Sequence, residues 1–380
     1  MIDPLAGLTL SRLRERTSVK WRLYPADVLP VFVAEMDAEL APPVARALSA
    51  AVERGDTGYP HPGRLPEAFA AFAERRYGWR VDPGAPVLVA DVMTGLSAAL
   101  EQVSGPGDAV VISTPVYPPF YRALRDLGRR IVSSPLDYDK SRGFRLDLDR
   151  LEADFAAGAS AYLLCNPHNP AGLAFSEAEL LAVAALAERY GVRVVADEIH
   201  APLTMPGVPH VPFASLDTEA SAVSFTAVSA SKAWNLAGLK AALLVPGPGA
   251  DVSGLDPELP DHAGLFGVLG SVAAFEEGGE WLDGLRESLL RNGALVARLL
   301  GERLPEVGFV APAATYLSFL DFRDLGLGAD PAEVLLERGR VALVPGPHFG
   351  VEGEGFARLN LATSPEVLAE AVDRIVKAVS

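Results

Sequence analysis

Residues 161–200 read AYLLCNPHNPAGLAFSEAELLAVAALAERYGVRVVADEIH and contain one complete strand–helix–strand repeat. The apolar run Ala161–Cys165 predicts a buried strand. Glu177–Tyr190 places apolar residues three and four positions apart, which predicts a helix packed on one face. The apolar run Val192–Ala196 predicts a second buried strand. This order predicts two parallel strands joined by a helix, the unit from which α/β folds are built.

The same alternation continues on both sides of this stretch. The predicted strands are Val87–Ala90, Asp108–Ser113, Ile131–Ser133, Ala161–Cys165, Val192–Ala196, Ala222–Thr226 and Leu239–Val245. With helical stretches between them, they predict a large α/β domain over residues 46–270. Its mainly parallel seven-stranded sheet would carry helices on both faces.

The pattern changes after about residue 270. A long helical stretch, Leu282–Leu304, is followed by shorter strands and a last helix, Pro365–Ala378. This predicts a smaller C-terminal α+β domain over residues 271–380. Residues 1–45 are predicted to pack with that domain. A length of 380 residues suits two domains.

Composition excludes several classes of protein. The net charge is −16 and no basic stripe is visible, which argues against a nucleic-acid partner. The apolar stretches are too short to span a membrane, and the N-terminus carries no secretory signal. The single cysteine, Cys165, excludes an intramolecular disulfide, and no His-x-x-x-His or cysteine cluster indicates a metal site. We therefore expect a cytoplasmic protein without a bound metal.

Unusual residues follow four of the predicted strands. They are Asn166–Gly172, Asp197–His200, Ser229–Lys232 and the pair Thr94-Gly95, which opens the predicted helix Thr94–Val103. Taken singly, each is explained as a turn, a helix cap or a solvated lysine. Ligands of an open parallel sheet, however, bind beyond the carboxyl ends of its strands, where these four segments should meet.

The chemistry of these segments is complementary. A lysine directly after a buried strand can lose hydration, which lowers its pKa and suits Schiff-base formation. An aspartate at a neighbouring strand end can keep a pyridinium nitrogen protonated. Hydroxyl and backbone N–H groups at a helix start suit a phosphate dianion. Together they meet the three demands of pyridoxal 5'-phosphate, which is the predicted cofactor.

The order and spacing of these motifs also resemble a known family, from Val31 to Ser364. The motifs that carry the resemblance are Phe32-Val33-Ala34-Glu35-Met36-Asp37, Asn166–Gly172, Asp197-Glu198-Ile199-His200, Ser229-x-x-Lys232 and Gly353-x-Gly355-Phe356-x-Arg358-Leu359-Asn360. They are similar to the fold-type I pyridoxal-phosphate-dependent aminotransferase superfamily. Within it they resemble the MalY/PatB branch of cystathionine β-lyases. The resemblance implies an aspartate aminotransferase-like fold and a homodimer.

The resemblance implies roles for the matching residues. Lys232 would hold the cofactor covalently and then move the Cα proton of the substrate. Asp197 would pair with the ring nitrogen, and Tyr117 would stack on the ring. These three are the predicted catalytic residues. Asn169 would bind the phenolic oxygen of the ring and lie close to the substrate, and Arg358 would clamp the substrate carboxylate.

Further contacts are implied around the cofactor. The predicted phosphate ligands are Thr94, Gly95, Leu96, Ser229 and Lys240. Ser231 and His200 are also predicted next to the cofactor, His200 in a structural role. Tyr59 would reach the phosphate and the substrate of the neighbouring subunit. The Thr114–Pro115 and Asn169–Pro170 peptides are predicted to be cis.

Motifs around the cofactor do not select the reaction, because the same lysine serves elimination and transamination. The branch resemblance favours a carbon–sulfur β-lyase that converts cystathionine or a related cysteine S-conjugate to a thiol, pyruvate and ammonia. An aminotransferase acting on an amino acid and a 2-oxo acid is the alternative. A cofactor-binding regulatory protein is a third hypothesis. The presence of Asn169, Asp197, Lys232 and Arg358 together argues against it, as does the lack of room for a helix-turn-helix domain before Val31.

Overall fold

A computed structural model describes residues 2–379. The helices are α1 (Leu10–Leu13), α2 (Val19–Arg22), α3 (Pro42–Arg54), α4 (Leu65–Tyr77), α5 (Val92–Val103), α6 (Pro119–Asp126), α7 (Leu148–Ala156), α8 (Glu177–Tyr190), α9 (Glu219–Ala222), α10 (Leu265–Glu277), α11 (Gly279–Arg303), α12 (Pro331–Gly339) and α13 (Pro365–Val379). Within these residues, no helix is long and apolar enough to cross a lipid bilayer.

The strands are β1 (Leu29–Pro30), β2 (Val87–Val89), β3 (Ala109–Thr114), β4 (Arg130–Pro135), β5 (Asp137–Asp139), β6 (Gly143–Arg145), β7 (Ala159–Cys165), β8 (Arg193–Asp197), β9 (Phe225–Val228), β10 (Ala242–Pro246), β11 (Leu317–Asp321), β12 (Val341–Ala342), β13 (Val344–Pro345) and β14 (Phe356–Asn360). Short 3-10 helices lie at Ala201–Leu203, Phe213–Ser215, Ala237–Leu239, Leu259–His262, Arg323–Leu325, Gly346–Phe349 and Val351–Gly353.

Seven strands between Val87 and Pro246 form the central sheet, in the spatial order β2-β10-β9-β8-β7-β3-β4. The neighbours from β9 to β4 pair in parallel, whereas β10 runs antiparallel to both β9 and β2. The predicted mainly parallel seven-stranded sheet is confirmed. Because β10 runs in the opposite direction, its first residues lie at the edge where the parallel strands end. Lys240 and Ala241, which directly precede β10, therefore also lie at that edge.

Two of the predicted strands begin later than expected. Ala222 ends helix α9, because Thr218 and Ser221 cap that short helix reciprocally and the extended chain begins only at Phe225. Lys240 has a φ of 60°, a left-handed conformation that interrupts an extended chain. Strand β10 consequently begins at Ala242. Apolar runs alone do not reveal such caps and backbone reversals.

Helices bury both faces of the central sheet. On one face, Leu96 of α5 and Phe120 of α6 pack with Ile112 of β3. On the other, Leu151 of α7 and Leu180 of α8 pack with the opposite side of β7. Burial on both faces explains why the parallel strands read as nearly continuous apolar runs.

A smaller antiparallel sheet, in the order β11-β14-β13, forms in the C-terminal part of the described residues. The N-terminal strand β1 pairs in parallel with β12 from that part of the chain. The division into residues 1–45, 46–270 and 271–380 stays a prediction.

Gly172 joins the loop after β7 to the C-terminal part. Its φ is +68°, and its carbonyl oxygen accepts hydrogen bonds from the amides of Ala313 and Ala314. A Cβ atom at this position would lie 2.6 Å from the Cβ of Pro312. Only glycine fits both the backbone conformation and the close approach. The turn thereby fixes where the smaller sheet meets the edge of the central sheet.

A buried ion pair anchors the segment of residues 33–37. The Nζ atom of Lys20 lies 2.8 Å from Oδ2 of Asp37, and neither side chain is exposed. Trp21 donates its indole N–H to the other carboxylate oxygen at 3.1 Å. Lys20 also donates to the backbone oxygen of Glu35. These bonds compensate both buried charges and hold the 33–37 segment in place.

Replacing Lys20 by Ala leaves the Asp37 carboxylate buried without its cation. We expect Lys20→Ala to lower the free energy of unfolding by about 3–5 kcal/mol, measured by chemical denaturation. Arg12→Ala is the control, because the Arg12–Glu15 pair is 69% and 61% exposed and should contribute little. Equal destabilisation by the two substitutions would contradict this account.

Candidate active site

A cavity of about 390 Å³ lies at the edge of the central sheet where the parallel strands end. Asp197, the last residue of β8, and Lys232, which follows β9, form part of its wall. Asn169 enters from the loop after β7, and Arg358 enters from β14. This is the position at which open parallel sheets bind ligands, and the volume is typical of small-molecule sites.

Lys232 presents its amine to this cavity. Its Nζ atom donates to the backbone oxygen of Ala34 at 3.1 Å. Burial lowers the pKa of Lys232 to about 8, and the positive charge of Arg358 acts in the same direction. The nearby Asp197 carboxylate opposes both effects. A substantial fraction of the amine is therefore neutral near physiological pH, as nucleophilic attack on an aldehyde requires.

Asp197 is buried at the back of the cavity, where its Oδ1 atom accepts the amide N–H of Ile199 at 3.1 Å. Burial raises the pKa of Asp197 to about 7, against the opposing effects of that hydrogen bond and of Lys232. A cationic partner inside the cavity would favour the ionised form. The carboxylate is thus suited to pairing with a protonated ring nitrogen.

His200 also lines the cavity but is held neutral. Burial lowers its pKa to about 3, and Lys232 and Arg358 add positive charge nearby. Its Nδ1 atom is buried without a hydrogen-bond partner among residues 2–379. Its ring meets the Tyr316 ring edge-on, with centroids 6.0 Å apart. The predicted structural role of His200 stays a prediction.

Arg358 is buried between the central sheet and the N-terminal segment. Its Nη1 atom donates to Oδ1 of Asn169 at 3.0 Å, and Nη2 donates to the backbone oxygen of Phe32 at 3.2 Å. Its guanidinium carbon lies 5.1 Å from the centroid of the Phe349 ring. Its Nε atom is buried and has no partner within the described chain. A buried guanidinium with an unused N–H group is suited to binding a carboxylate.

Tyr117 forms another part of the wall, three residues after β3 ends. Burial, reinforced by the negative charge of Asp197, raises its pKa, so the hydroxyl stays protonated. The Thr114–Pro115 and Asn169–Pro170 peptides are cis, as predicted. The Asn166–Pro167 peptide is cis as well and was not predicted.

The start of α5 forms the cavity wall next to the predicted phosphate ligands Thr94, Gly95 and Leu96, whose role stays a prediction. The cavity wall contains Val92 and Met93, whose amides precede the first intrahelical bond and donate no hydrogen bond within residues 2–379. Thr94, Gly95 and Leu96 lie further into the helix and outside this wall. The sequence pattern predicted that this helix begins at Thr94. The true start is marked by Asp91, whose side chain caps the amide of Thr94, a signal of the Asp-x-x-Thr kind.

The other predicted cofactor contacts divide into two groups. Ser231 and Lys240 line the cavity. Ser229 does not line it, because its hydroxyl points to the backbone oxygen of Ala241, at 2.7 Å. Tyr59 is 94% exposed and lies outside the cavity of its own chain. The roles assigned to all these residues stay predictions.

Sequence reasoning missed the contact that holds Lys232. The backbone oxygen of Ala34 accepts hydrogen bonds from Lys232 Nζ and from the hydroxyl of Tyr316, at 3.1 and 3.0 Å. Tyr316 is only 1% exposed, so this hydroxyl depends on Ala34 as its partner. The acceptor is a main-chain atom 198 residues before the lysine, so no side-chain motif signals it.

Residues close in sequence to Lys232 and Arg358 also hold the 33–37 segment. Asn235, three residues after Lys232, bonds both the amide and the carbonyl of Met36, at 2.9 and 3.0 Å. Asn360, two residues after Arg358, donates to the backbone oxygens of Val33 and Glu35, each at 2.7 Å. The position of the Ala34 carbonyl is therefore fixed from both sides of the site.

Comparison with known proteins agrees with this geometry. The family model for aminotransferase class I and II matches residues 31–255 and 260–375. The chain belongs to the aminotransferase class I and II family. The predicted membership of the pyridoxal-phosphate-dependent superfamily is thereby confirmed.

Individual relatives indicate which branch of the family the chain resembles. The cystathionine beta-lyase of Corynebacterium glutamicum is 38% identical, over 96% of this chain and 98% of that protein. The cystathionine beta-lyase PatB of Bacillus subtilis (strain 168) is 36% identical, over 96% and 97%. The crystal structure of cystalysin from Treponema denticola, which contains pyridoxal 5'-phosphate, has a TM-score of 0.89 and 26% identity, over 100% and 99% of the two chains. The predicted branch and the aminotransferase-like fold are confirmed.

The residues present fit pyridoxal phosphate. One cavity holds a lysine amine, a buried carboxylate, an aromatic ring, a guanidinium and the start of a helix. These groups match the aldehyde, ring nitrogen, ring face, substrate carboxylate and phosphate of such a site. Among residues 2–379, no group of three or more His, Cys, Asp or Glu side chains could hold a metal ion.

The lowered pKa of Lys232 can be tested by amine-directed labelling of protein freed of cofactor. We expect half-maximal labelling near a pH of about 8, because the reactive neutral amine appears as the pH rises through the pKa. Mass spectrometry of the Lys232 peptide gives the extent of labelling, and the exposed Lys377 in the same digest is the reference.

Asp197→Asn is the matched variant for this experiment. It removes a negative charge that favours the ammonium form, so the midpoint for Lys232 should move to lower pH. A midpoint at the ordinary lysine value of about 10.4, or an upward shift in Asp197→Asn, would contradict the electrostatic account.

Proposed function

We propose that the chain is a pyridoxal-phosphate-dependent carbon–sulfur β-lyase. It cleaves cystathionine or a related cysteine S-conjugate to a thiol, pyruvate and ammonia. The observation that carries the proposal is the convergence of the Lys232 amine, the Asp197 carboxylate and the Arg358 guanidinium on one cavity. The chain that builds this cavity is 36% and 38% identical, over almost its whole length, to the two proteins named cystathionine beta-lyase.

Each end of the cofactor has residues that would hold it. Lys232 would bind it covalently through its amine, and Asp197 would pair with the ring nitrogen. Tyr117 would stack on the face of the ring. Asn169 would bind the phenolic oxygen of the ring. The phosphate would lie among Ser231, Lys240 and the free amides at the start of α5. When bound, pyridoxal phosphate supplies an electron sink that stabilises negative charge at the substrate Cα.

Arg358 would bind and orient the substrate. Its Nε–H group has no partner within the described chain and can donate to the substrate carboxylate, while the bond from Nη1 to Asn169 restrains the guanidinium. The phenolic Tyr117 and the hydrophobic side chain of Ile199 close other parts of the cavity wall. An amino acid held in this way would present its Cα–H bond to Lys232, which lines the same cavity.

The substrate's own amine would displace the Lys232 amine from the cofactor, and Lys232, freed in this way, would then act as the base. Its neutral amine accepts the Cα proton, while the Ala34 carbonyl, held by Tyr316, accepts an N–H from the same amine. The electron pair from the C–H bond forms a Cα–Cβ double bond as the Cβ–S bond breaks. The thiolate leaves with the sulfur electrons and takes up a proton. The released enamine reacts with one water molecule and gives pyruvate and ammonia.

The function is tested by incubating the protein, loaded with pyridoxal phosphate, with cystathionine. We expect pyruvate, ammonia and thiol in equal amounts. Lys232→Ala should lower the rate by several orders of magnitude, because it removes covalent binding and proton transfer together. Lys377→Ala, on the exposed side of α13, is the control and should retain activity.

Two results of this assay would argue against the lyase. Conversion of the cofactor to its amine form without pyruvate, reversed by a 2-oxo acid, would identify an aminotransferase. Near-normal turnover in Lys232→Ala would remove this lysine from the mechanism altogether.

We further propose that the protein acts as a homodimer in the cytoplasm. Tyr59 is 94% exposed although it is a large aromatic side chain, and it lines a surface groove with Phe266 at the start of α10. Such exposure supports a role at a contact with another subunit. Tyr59 would reach the phosphate and the substrate in the cavity of the second subunit.

Shared active sites can be tested by complementation between Tyr59→Ala and Lys232→Ala. Each variant alone should be impaired. Co-expressed in equal amounts, they form hybrid dimers in which one site combines Lys232 from one chain with Tyr59 from the other. We expect about a quarter of wild-type activity, because half of the dimers are hybrids with one intact site of two. Full activity of Tyr59→Ala, or no recovery on co-expression, would contradict the proposal.

A further inference from the structure

Asp91 places a carboxylate at the expected phosphate end of the cavity. Its Oδ2 atom lies 2.9 Å from Nζ of Lys240. Its Oδ1 atom accepts hydrogen bonds from the amide and the hydroxyl of Thr94, at 2.9 and 3.1 Å. One carboxylate thus binds donors from two residues that the family resemblance predicts to be phosphate ligands. Asp91 also lines the cavity itself.

The carboxylate is charged in this position. Partial burial raises the pKa of Asp91, but hydrogen bonds from Lys240 and Thr94 outweigh it and lower the pKa below the ordinary value. Asp91 is also the N-cap of α5. The positive end of the helix dipole attracts the Asp91 carboxylate and would attract a phosphate at the same place. Lys240 is held in its left-handed backbone conformation while it pairs with Asp91. The cation at this end of the site is therefore already neutralised.

We propose that Asp91 competes with the cofactor's phosphate for Lys240 and for the start of α5, and so limits the affinity of the protein for pyridoxal phosphate. The inference rests on the proposed function, because it takes the phosphate to bind at this end of the cavity. Binding requires the dianion to approach a fixed negative charge and to draw Lys240 away from it. The carboxylate thereby sets how readily the cofactor exchanges.

The size of the effect follows from the exposure of the pair. The side chains of Lys240 and Asp91 are 57% and 38% exposed, so solvent screens their charges. Removing one negative charge beside a dianion under such screening should tighten binding about three- to tenfold. Added salt should reduce the gain, because the interaction is between partly exposed charges.

Asp91→Asn isolates the charge from the helix cap. Asparagine caps helices as well as aspartate does, so the bond to the Thr94 amide can persist. Asp147→Asn is the matched control. Asp147 caps α7 through the amide of Arg150 at 2.9 Å, outside the cavity, and its substitution changes the net charge equally.

The experiment measures the dissociation constant of pyridoxal phosphate by fluorescence titration of the cofactor-free protein, at low and at high salt. Inorganic phosphate is the second probe, used as a competitor. We expect Asp91→Asn to bind both ligands about three- to tenfold more tightly at low salt, with Asp147→Asn unchanged. Lys240→Met should weaken binding, and adding Asp91→Asn should restore part of the loss.

Unchanged or weaker cofactor binding in Asp91→Asn, with normal binding by Asp147→Asn, would overturn this inference and leave the proposed function intact. A wild-type chain that binds no pyridoxal phosphate would remove the proposed function itself. Comparable melting temperatures of Asp91→Asn and Asp147→Asn would show that the affinities are compared between equally folded proteins.

Discussion

The desolvation of one lysine amine is the constraint on which the site depends. Lys232 follows strand β9 of a sheet that is buried on both faces, and its half-buried side chain lies in the cavity beyond the end of that strand. Burial lowers its pKa to about 8 and brings the neutral, reactive form into the physiological range. Asp197 keeps the lysine partly charged, and the same burial raises the pKa of that carboxylate to about 7. Each group therefore reduces the pKa shift that burial causes in the other.

The neutral Lys232 amine must also be oriented, and the 33–37 segment provides the hydrogen-bond acceptor that orients it. The Ala34 carbonyl binds Lys232 and Tyr316, while Asn235 and Asn360 fix the neighbouring backbone. The buried Lys20–Asp37 pair anchors the same segment from the N-terminal side. Residues outside the cavity therefore help to position the Lys232 amine, because displacement of the Ala34 carbonyl would break its hydrogen bond to that amine. Asp91 adds an opposing charge at the far end of the cavity, where affinity for an anion is set.

Several features were predictable because local sequence carries them. Apolar runs marked the strands of the central sheet, and the polar residues after them marked the edge at which Asn169, Asp197 and Lys232 meet. The start of α5 was misplaced, although Asp91 and Thr94 carry a readable capping signal. The starts of β9 and β10 were misplaced because a short capped helix and a left-handed Lys240 interrupt runs that remain apolar.

The sequence alone determined the fold class, the family and the residue types that meet in the cavity, because periodic burial and strand-end side chains leave a local pattern. Only the tertiary structure decided which acceptor holds Lys232, which buried pair anchors that acceptor and which amides open toward the cavity. These contacts involve backbone groups and residues up to 198 positions apart. Every residue has a carbonyl oxygen, so nothing in the sequence marks the one at Ala34 until folding brings it to the amine.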